Sequence, residues 1–479
     1  MATVVNSRLQ AVRRMPSEKW AFAAAFGIVA LFFAAIVYIA THRMFWTDEV
    51  YTTLMTRIPT WAGLWQASVH SADTMSFGYD AVARIFDRWL GPGEIGIRLP
   101  SAIAVTLGIL VAFDCARRFS DAWHGLIAVG ALLCSFVTGY AYQGRAYGLY
   151  YLFAALALWC WLSRRSPLLL AIVFFAGVLM HYYMVFCIVP LAVAEALEKR
   201  SWRIAFSPRL LSAGTGALLA IACLWPQISY ARRYLSPTFW AKPALTDVAG
   251  VYEKFFPLAP LMIAVALIAM AIFAGRKSVV PAMSDGERVA WLFLLIPMVV
   301  FVAAKLVTNA YLDRYVIGTL PGAAVGIACL VHRLGNDEPR FSKGILLLVL
   351  AVGGWRLFGL VTHAQTGLNE DYMPELHAIL SGEDDVWRDG KQFIVTPEGR
   401  FFLTARYYSR HPERYVALPE NPPNETRYFP LPAWNEQQLI AHARECALVE
   451  PKASLLAELG RAGLRLTVRK ASPLTVYLE

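Results

Sequence analysis

The sequence predicts an all-α polytopic membrane protein of about eleven spans, followed by a small α/β domain outside the cytoplasm. Three observations lead there. Only 16% of the 479 residues are charged and 57% are hydrophobic, whereas a soluble domain carries about a quarter charged residues. The apolar residues gather in uncharged runs of bilayer length, and Lys and Arg sit in short clusters between those runs. Beyond Val361 the runs become short and interrupted.

The first run, Trp20 to Ala40, follows Arg8, Arg13, Arg14 and Lys19. It is too long for a cleaved leader, so it is expected to be a first transmembrane helix with its amino terminus in the cytoplasm. A polar stretch from His42 to Arg98 comes next. Further runs are Leu99 to Phe113, Gly125 to Tyr142, Ala146 to Ser163, Ser166 to Met180 and Tyr182 to Ala194. Leu210 to Ala231, Phe255 to Gly275, Val289 to Ala304, Tyr315 to Val331 and Gly344 to Val361 complete the series. Alternating sides from a cytoplasmic start places Arg117 and Arg118, Arg164 and Arg165, Lys199 to Arg209, Arg276 and Lys277, and Arg333 to Lys343 all inside, as the positive-inside rule requires.

Residues 1–363 therefore form the expected membrane domain, with 42–98 as an external loop, and residues 364–479 an extracytoplasmic α/β domain. In the latter, Gln392 to Thr396 and Leu464 to Val468 read as strands and Trp434 to Ala447 as a helix. The net charge of +10 is accounted for by the inside loops and implies no nucleic-acid partner. Six of the seven cysteines lie in or beside apolar runs, and no disulfide framework or zinc spacing appears. No internal repeat is evident, which disfavours a repeat-built transporter.

The chemistry-bearing residues collect at the outer helix ends. Asp48 and Glu49 follow the first helix, where two adjacent acids are costly unless they are solvated or used. Gln143 and Arg145 lie at the outer end of the third span, His181 at that of the fifth, and Lys305 at that of the ninth, while Asp313, Arg314 and Tyr315 open the tenth. Each alone would serve as an interfacial anchor. Together they suit transfer from a lipid-linked phosphate donor. Cations stabilise the departing phosphate, a carboxylate takes the acceptor proton, and the leaving group needs no general acid.

These residues resemble the GT-C superfamily of polyprenyl-phosphate-sugar glycosyltransferases, in the branch of protein O-mannosyltransferases and the bacterial aminoarabinose transferase for lipid A. The likeness is carried by Asp48 and Glu49, by Gly96 to Ser101, by Tyr142 to Tyr147, which is similar to a Gln-Glu-Ala-Arg-x-Tyr element, by His181 and Tyr182, and by Arg314, Tyr315 and Pro321. The resemblance implies a GT-C fold, a polyprenyl-phosphate sugar as donor, a lipid, glycan or protein acceptor, and a bacterial inner-membrane location. It assigns the base to Asp48, with Glu49 as its neighbour and substitute. Arg145, Lys305 and Arg314 are the expected phosphate contacts, with Tyr142, Gln143, Tyr147, His181, Tyr182 and Tyr315 lining the substrate pocket.

Two departures bear on specificity. Where relatives have a His-Pro-Pro element, this chain reads Asp73 to Tyr79 without the histidine or prolines. Gln143 replaces a Glu, removing a carboxylate that could help hold a divalent metal, so no metal requirement is expected. Two other classes stay open: a transporter or flippase, which calls for polar groups near the midplane, and an envelope scaffold, in which Asp48 is structural.

Overall fold

A computed structural model describes residues 15–199, 207–235, 239–257, 264, 282–335, 339–365, 373–397, 399–418, 428–429, 431–471 and 473–478. The chain divides into two compact units, one of Met1–Thr41 with Met75–Thr362, the other of His42–Thr74 with His363–Glu479.

The first unit is a bundle of apolar helices. Among the described residues, five are long and apolar enough to cross a bilayer: Glu18–His42, Glu94–Phe119, Pro208–Tyr234, Asp285–Thr308 and Arg340–Thr362. Ala122–Cys134, Tyr147–Leu162, Pro167–Met180 and Thr319–Leu334 are apolar but shorter. Most of the expected run Phe255 to Gly275 lies outside the described residues, as do Arg276, Lys277, Arg8, Arg13 and Arg14. Because lipid tails are as apolar as leucine, close packing and not dehydration must hold such helices together, and small residues permit it. At Gly148 a Cβ would stand 2.9 Å from the Ser101 backbone, so the helix Tyr147–Leu162 lies tight on Glu94–Phe119. Ala122–Cys134 packs against both Thr319–Leu334 and Pro339–Thr362.

Several spans are less regular than hydropathy implies. The run Gly125 to Tyr142 is two helices, Ala122–Cys134 and Val137–Ala141. The break at Ser135 is stabilised from outside the run, since the Phe136 N–H donates to the Phe255 carbonyl at 3.1 Å. The sixth span opens as a 3-10 helix, Tyr182–Cys187, before Ile188–Lys199. The tenth opens likewise with Asp313–Val316 before Thr319–Leu334. These tight turns lie where the chemistry-bearing residues are.

The second unit contains a five-stranded sheet of order β2-β1-β3-β5-β4, with β1 Phe393–Thr396, β2 Tyr415–Ala417, β3 Cys446–Val449, β4 Leu466–Ala471 and β5 Leu474–Leu478. β1 pairs parallel with β2 and β3, while β5 runs antiparallel to β3 and β4. Val395, Leu448 and Val476 from the central strands bury against Leu439, Leu455 and Leu459 of the helices. The expected helix Trp434 to Ala447 is shorter. Asn435 caps Glu436–Ala441 by accepting the Gln438 N–H at 2.8 Å, and Cys446 to Val449 are taken into the centre of the sheet as β3. The helix Thr47–Thr56 packs on Gly399–Tyr408, where the Phe45 N–H donates to the Tyr408 hydroxyl at 2.7 Å.

Candidate active site

Within the second unit, Asp48 and Glu49 occupy the first turn of Thr47–Thr56, where acids favour the positive end of the helix dipole. Their environments differ. Glu49 is buried, and its Oε2 accepts the Trp46 N–H at 3.2 Å, closing the helix start as the acid of a capping box does. Asp48 is only partly buried. Its carbonyl accepts from the Thr52 hydroxyl, which also approaches Oδ2 of Asp73 at 3.3 Å. Asp73, itself buried, thus stands beside the helix face that Asp48 and Thr52 share at i and i+4 spacing.

Within the first unit, the turn after Pro167–Met180 sets up an aromatic nest. His181 leaves the helix in extended conformation, its N–H still bonded to the Gly177 carbonyl at 2.9 Å, and the 3-10 turn that follows carries Tyr182 and Tyr183. The His181 ring stacks on Tyr150 with centroids 5.1 Å apart and meets Tyr147 at 5.6 Å, Tyr182 at 5.4 Å and Tyr315 at 6.0 Å. Tyr183 stacks on Tyr315 at 4.4 Å. The Arg314 guanidinium lies over the Tyr147 ring at 5.7 Å. Arg145 is fully buried in the turn before Tyr147–Leu162, where the Ser101 hydroxyl donates to its carbonyl at 2.7 Å.

Burial drives the His181 pKa down to about 3, and the neighbouring Arg145 and Arg314 add to the shift. The imidazole is neutral at physiological pH, and its Nδ1 accepts the Tyr183 N–H at 3.4 Å. A pair of guanidiniums beside neutral rings is a field suited to an anion. Asp313 tempers that field. Its Oδ2 pairs with the Lys254 ammonium at 2.7 Å and accepts from the Tyr140 hydroxyl at 2.7 Å.

The segment lacking the His-Pro-Pro element is built into this unit from Met75 onward. The Ser76 hydroxyl approaches the Leu179 and Met180 carbonyls at 2.7 and 2.6 Å, and the Gln227 amide donates to the Met75 carbonyl. A Cβ at Gly78 would fall 2.3 Å from the Leu179 carbonyl oxygen, so only glycine fits. Arg98, from the Gly96 to Ser101 motif, is buried and donates to the Ala40 carbonyl at 2.8 Å, pinning the end of the first helix.

Of the expected residues, Arg145, Tyr147, His181, Tyr182, Arg314 and Tyr315 are gathered in one nest. Tyr142 is buried and Gln143 half-buried in the turn leading to it. Lys305 is exposed, its ammonium 5.9 Å over Phe301, and enters none of the contacts of the nest. Sequence reasoning missed Tyr140, Tyr150, Tyr183 and Asp73. Tyr150 was detectable, lying one helical turn beyond Tyr147.

Residues 74–230 match the family described as dolichyl-phosphate-mannose-protein mannosyltransferase. No curated protein matches by sequence. The fold is similar to that of ArnT from Cupriavidus metallidurans bound to undecaprenyl phosphate, with a TM-score of 0.58 at 11% identity, covering 96% of this chain and 98% of that one. It is similar also to ArnT from the same organism in the apo state, with a TM-score of 0.57 at 14% identity, covering 95% and 98%. The chain has the GT-C fold of a multi-pass membrane protein with a small carboxyl-terminal sheet.

Proposed function

We propose that this chain, as a protein of GT-C fold, is an integral membrane glycosyltransferase that takes a sugar from a polyprenyl-phosphate donor and passes it to an envelope glycolipid, polysaccharide or protein. The observation that carries the reading is the pair of guanidiniums, Arg145 and Arg314, beside neutral His181 in a nest of tyrosines. It is a setting for a phosphate next to a sugar. The undecaprenyl phosphate held by ArnT is a donor-type ligand of that chemistry.

In the proposed reaction the acceptor hydroxyl attacks the anomeric carbon as the bond from that carbon to the phosphate oxygen breaks, with inversion. The electron pair leaves with the lipid phosphate, whose charge Arg145 and Arg314 stabilise. Asp48 takes the proton from the acceptor. What supports Asp48 over Glu49 is the work Glu49 already does in closing its helix. Lys305, exposed and apart from the nest, is assigned to the approach of the donor headgroup.

Replacing the base tests the proposal. Asp48→Asn is expected to keep normal membrane levels and lose transfer by about 10²- to 10⁴-fold. Glu49→Gln, whose amide carbonyl can still accept the Trp46 N–H, retains transfer within a few-fold. Arg145→Lys, which loses the planar fork, weakens transfer from the lipid-linked donor. Unchanged modification of envelope material in the Asp48→Asn strain would sink the assignment, and lipid translocation without transfer would replace it with the flippase reading.

A further inference from the structure

A second group of ligating side chains lies around the end of Thr319–Leu334 remote from the tyrosine nest, whose Arg314 and Tyr315 stand just before that helix begins. Thr319–Leu334 rises about 24 Å between them, so this group lies outside the site described above. Asp121 caps the helix Ala122–Cys134, its Oδ1 accepting the Trp123 and His124 N–H groups at 2.9 and 3.0 Å. The other oxygen, Oδ2, is 2.9 Å from Nδ1 of His124 and 3.9 Å from Nδ1 of His332. The two imidazoles meet edge to face with centroids 4.6 Å apart. Nε2 of His124 lies 3.0 Å from the Ser342 hydroxyl. One ligating atom from each of Asp121, His124 and His332 falls within 4.8 Å of the others. Asp121, His124 and His332 also line a cavity of about 700 Å³ that reaches Trp123, Lys343 and Leu347.

We propose that Asp121, His124 and His332 form a site for one Zn²⁺ ion, with the fourth coordination position open to that cavity. Two imidazole nitrogens and one carboxylate oxygen are a characteristic zinc donor set, and three protein ligands with an open fourth place are its usual non-structural arrangement. Tetrahedral bonds of ordinary length set ligand atoms about 3.4 Å apart. The Oδ2 separations of 2.9 and 3.9 Å bracket that value, and the three ligating atoms all lie within 4.8 Å of one another.

The outer partners a zinc site requires are also in place. Two backbone N–H groups hold the other Asp121 oxygen, and Ser342 stands where a metal-bound His124 would direct its remaining N–H. The ion would tie the start of Ala122–Cys134 to the end of Thr319–Leu334. This proposal is independent of the glycosyl-transfer reading.

The test uses the full chain, purified in detergent, stripped with a chelator and titrated separately with Zn²⁺ and Co²⁺. Elemental analysis after dialysis is expected to find about one Zn²⁺ per chain, and Co²⁺ to give the intense visible absorption of a four-coordinate site. His332→Gln and Asp121→Asn should each weaken Zn²⁺ binding by more than about 100-fold, beyond the roughly 10- to 100-fold that loss of an outer partner typically costs. The Co²⁺ spectrum of the unmutated chain keeps the test independent of whether a variant folds. Substoichiometric Zn²⁺, a weak six-coordinate Co²⁺ spectrum, or affinity unchanged in folded His332→Gln would each overturn the proposal, leaving a carboxylate-held histidine pair.

Discussion

At the scale of single residues, His181 makes a pH prediction with a definite sign. An unfolded imidazole takes up its proton near 6.5, whereas the folded one resists protonation until about 3. Between those values the unfolded chain binds more protons, so stability is full above 6.5 and falls as the pH drops through the window. At pH 5 the loss is about 2 kcal/mol. Thermal unfolding in detergent should show the wild type losing more between pH 7 and 5 than His181→Gln does, and equal losses would contradict the assigned burial of a neutral ring. The sequence exposed His181, Arg145 and Arg314 because a polar residue at the end of an apolar run stands out. Apart from the resemblance, it gave no means of separating Asp48 from Glu49, since adjacent acids look alike until one is seen closing a helix. Asp73 was hidden because its link to the neighbourhood of Asp48 runs through Thr52, a pairing no local pattern encodes.

At the scale of elements, the close approach at Gly78 governs how the polar segment joins the helix Pro167–Met180. A methyl there would meet a backbone carbonyl that cannot rotate away. Gly78→Ala is expected to cost about 1–3 kcal/mol, the usual penalty of overpacking. Gly27→Ala, where nothing lies within 4 Å of the added carbon, should be neutral or slightly stabilising through helix propensity. Paired thermal melts of the two variants check this, and equal midpoints would refute it. Span existence was readable from hydropathy, whereas span interruption was not. The break at Ser135 depends on a carbonyl supplied by Phe255, and the 3-10 openings at Tyr182 and Asp313 preserve the apolar composition that defines a run. In the carboxyl-terminal unit, Cys446 to Val449 has no alternation to announce a strand, because a central strand is buried on both faces.

For the whole molecule, the basic clusters make a topological prediction. Reporter fusions after Arg118, Arg165 and Arg340 should be active on the cytoplasmic side, and a fusion at the carboxyl terminus on the outer side. A cytoplasmic carboxyl terminus would require an even number of spans and overturn the assigned sidedness. The change of character after Val361 was visible in composition. The allegiance of residues 42–74 was not, since a polar loop between two apolar runs gives no sign of which distant segment it will join. That allegiance rests on contacts such as Phe45 with Tyr407 and Tyr408, and His70 with Tyr428.

The same allegiance sets a timetable for synthesis. His42–Thr74 leaves the ribosome early, yet the residues that complete its unit come from the last quarter of the chain. At about 5–20 residues per second, Phe45 and its neighbours wait tens of seconds for Tyr407 and Tyr408 to emerge. A nascent chain therefore carries an unfinished aromatic surface through most of its own translation. Slow codons or early stops beyond residue 363 would prolong that exposure and hand the segment to chaperones or proteases.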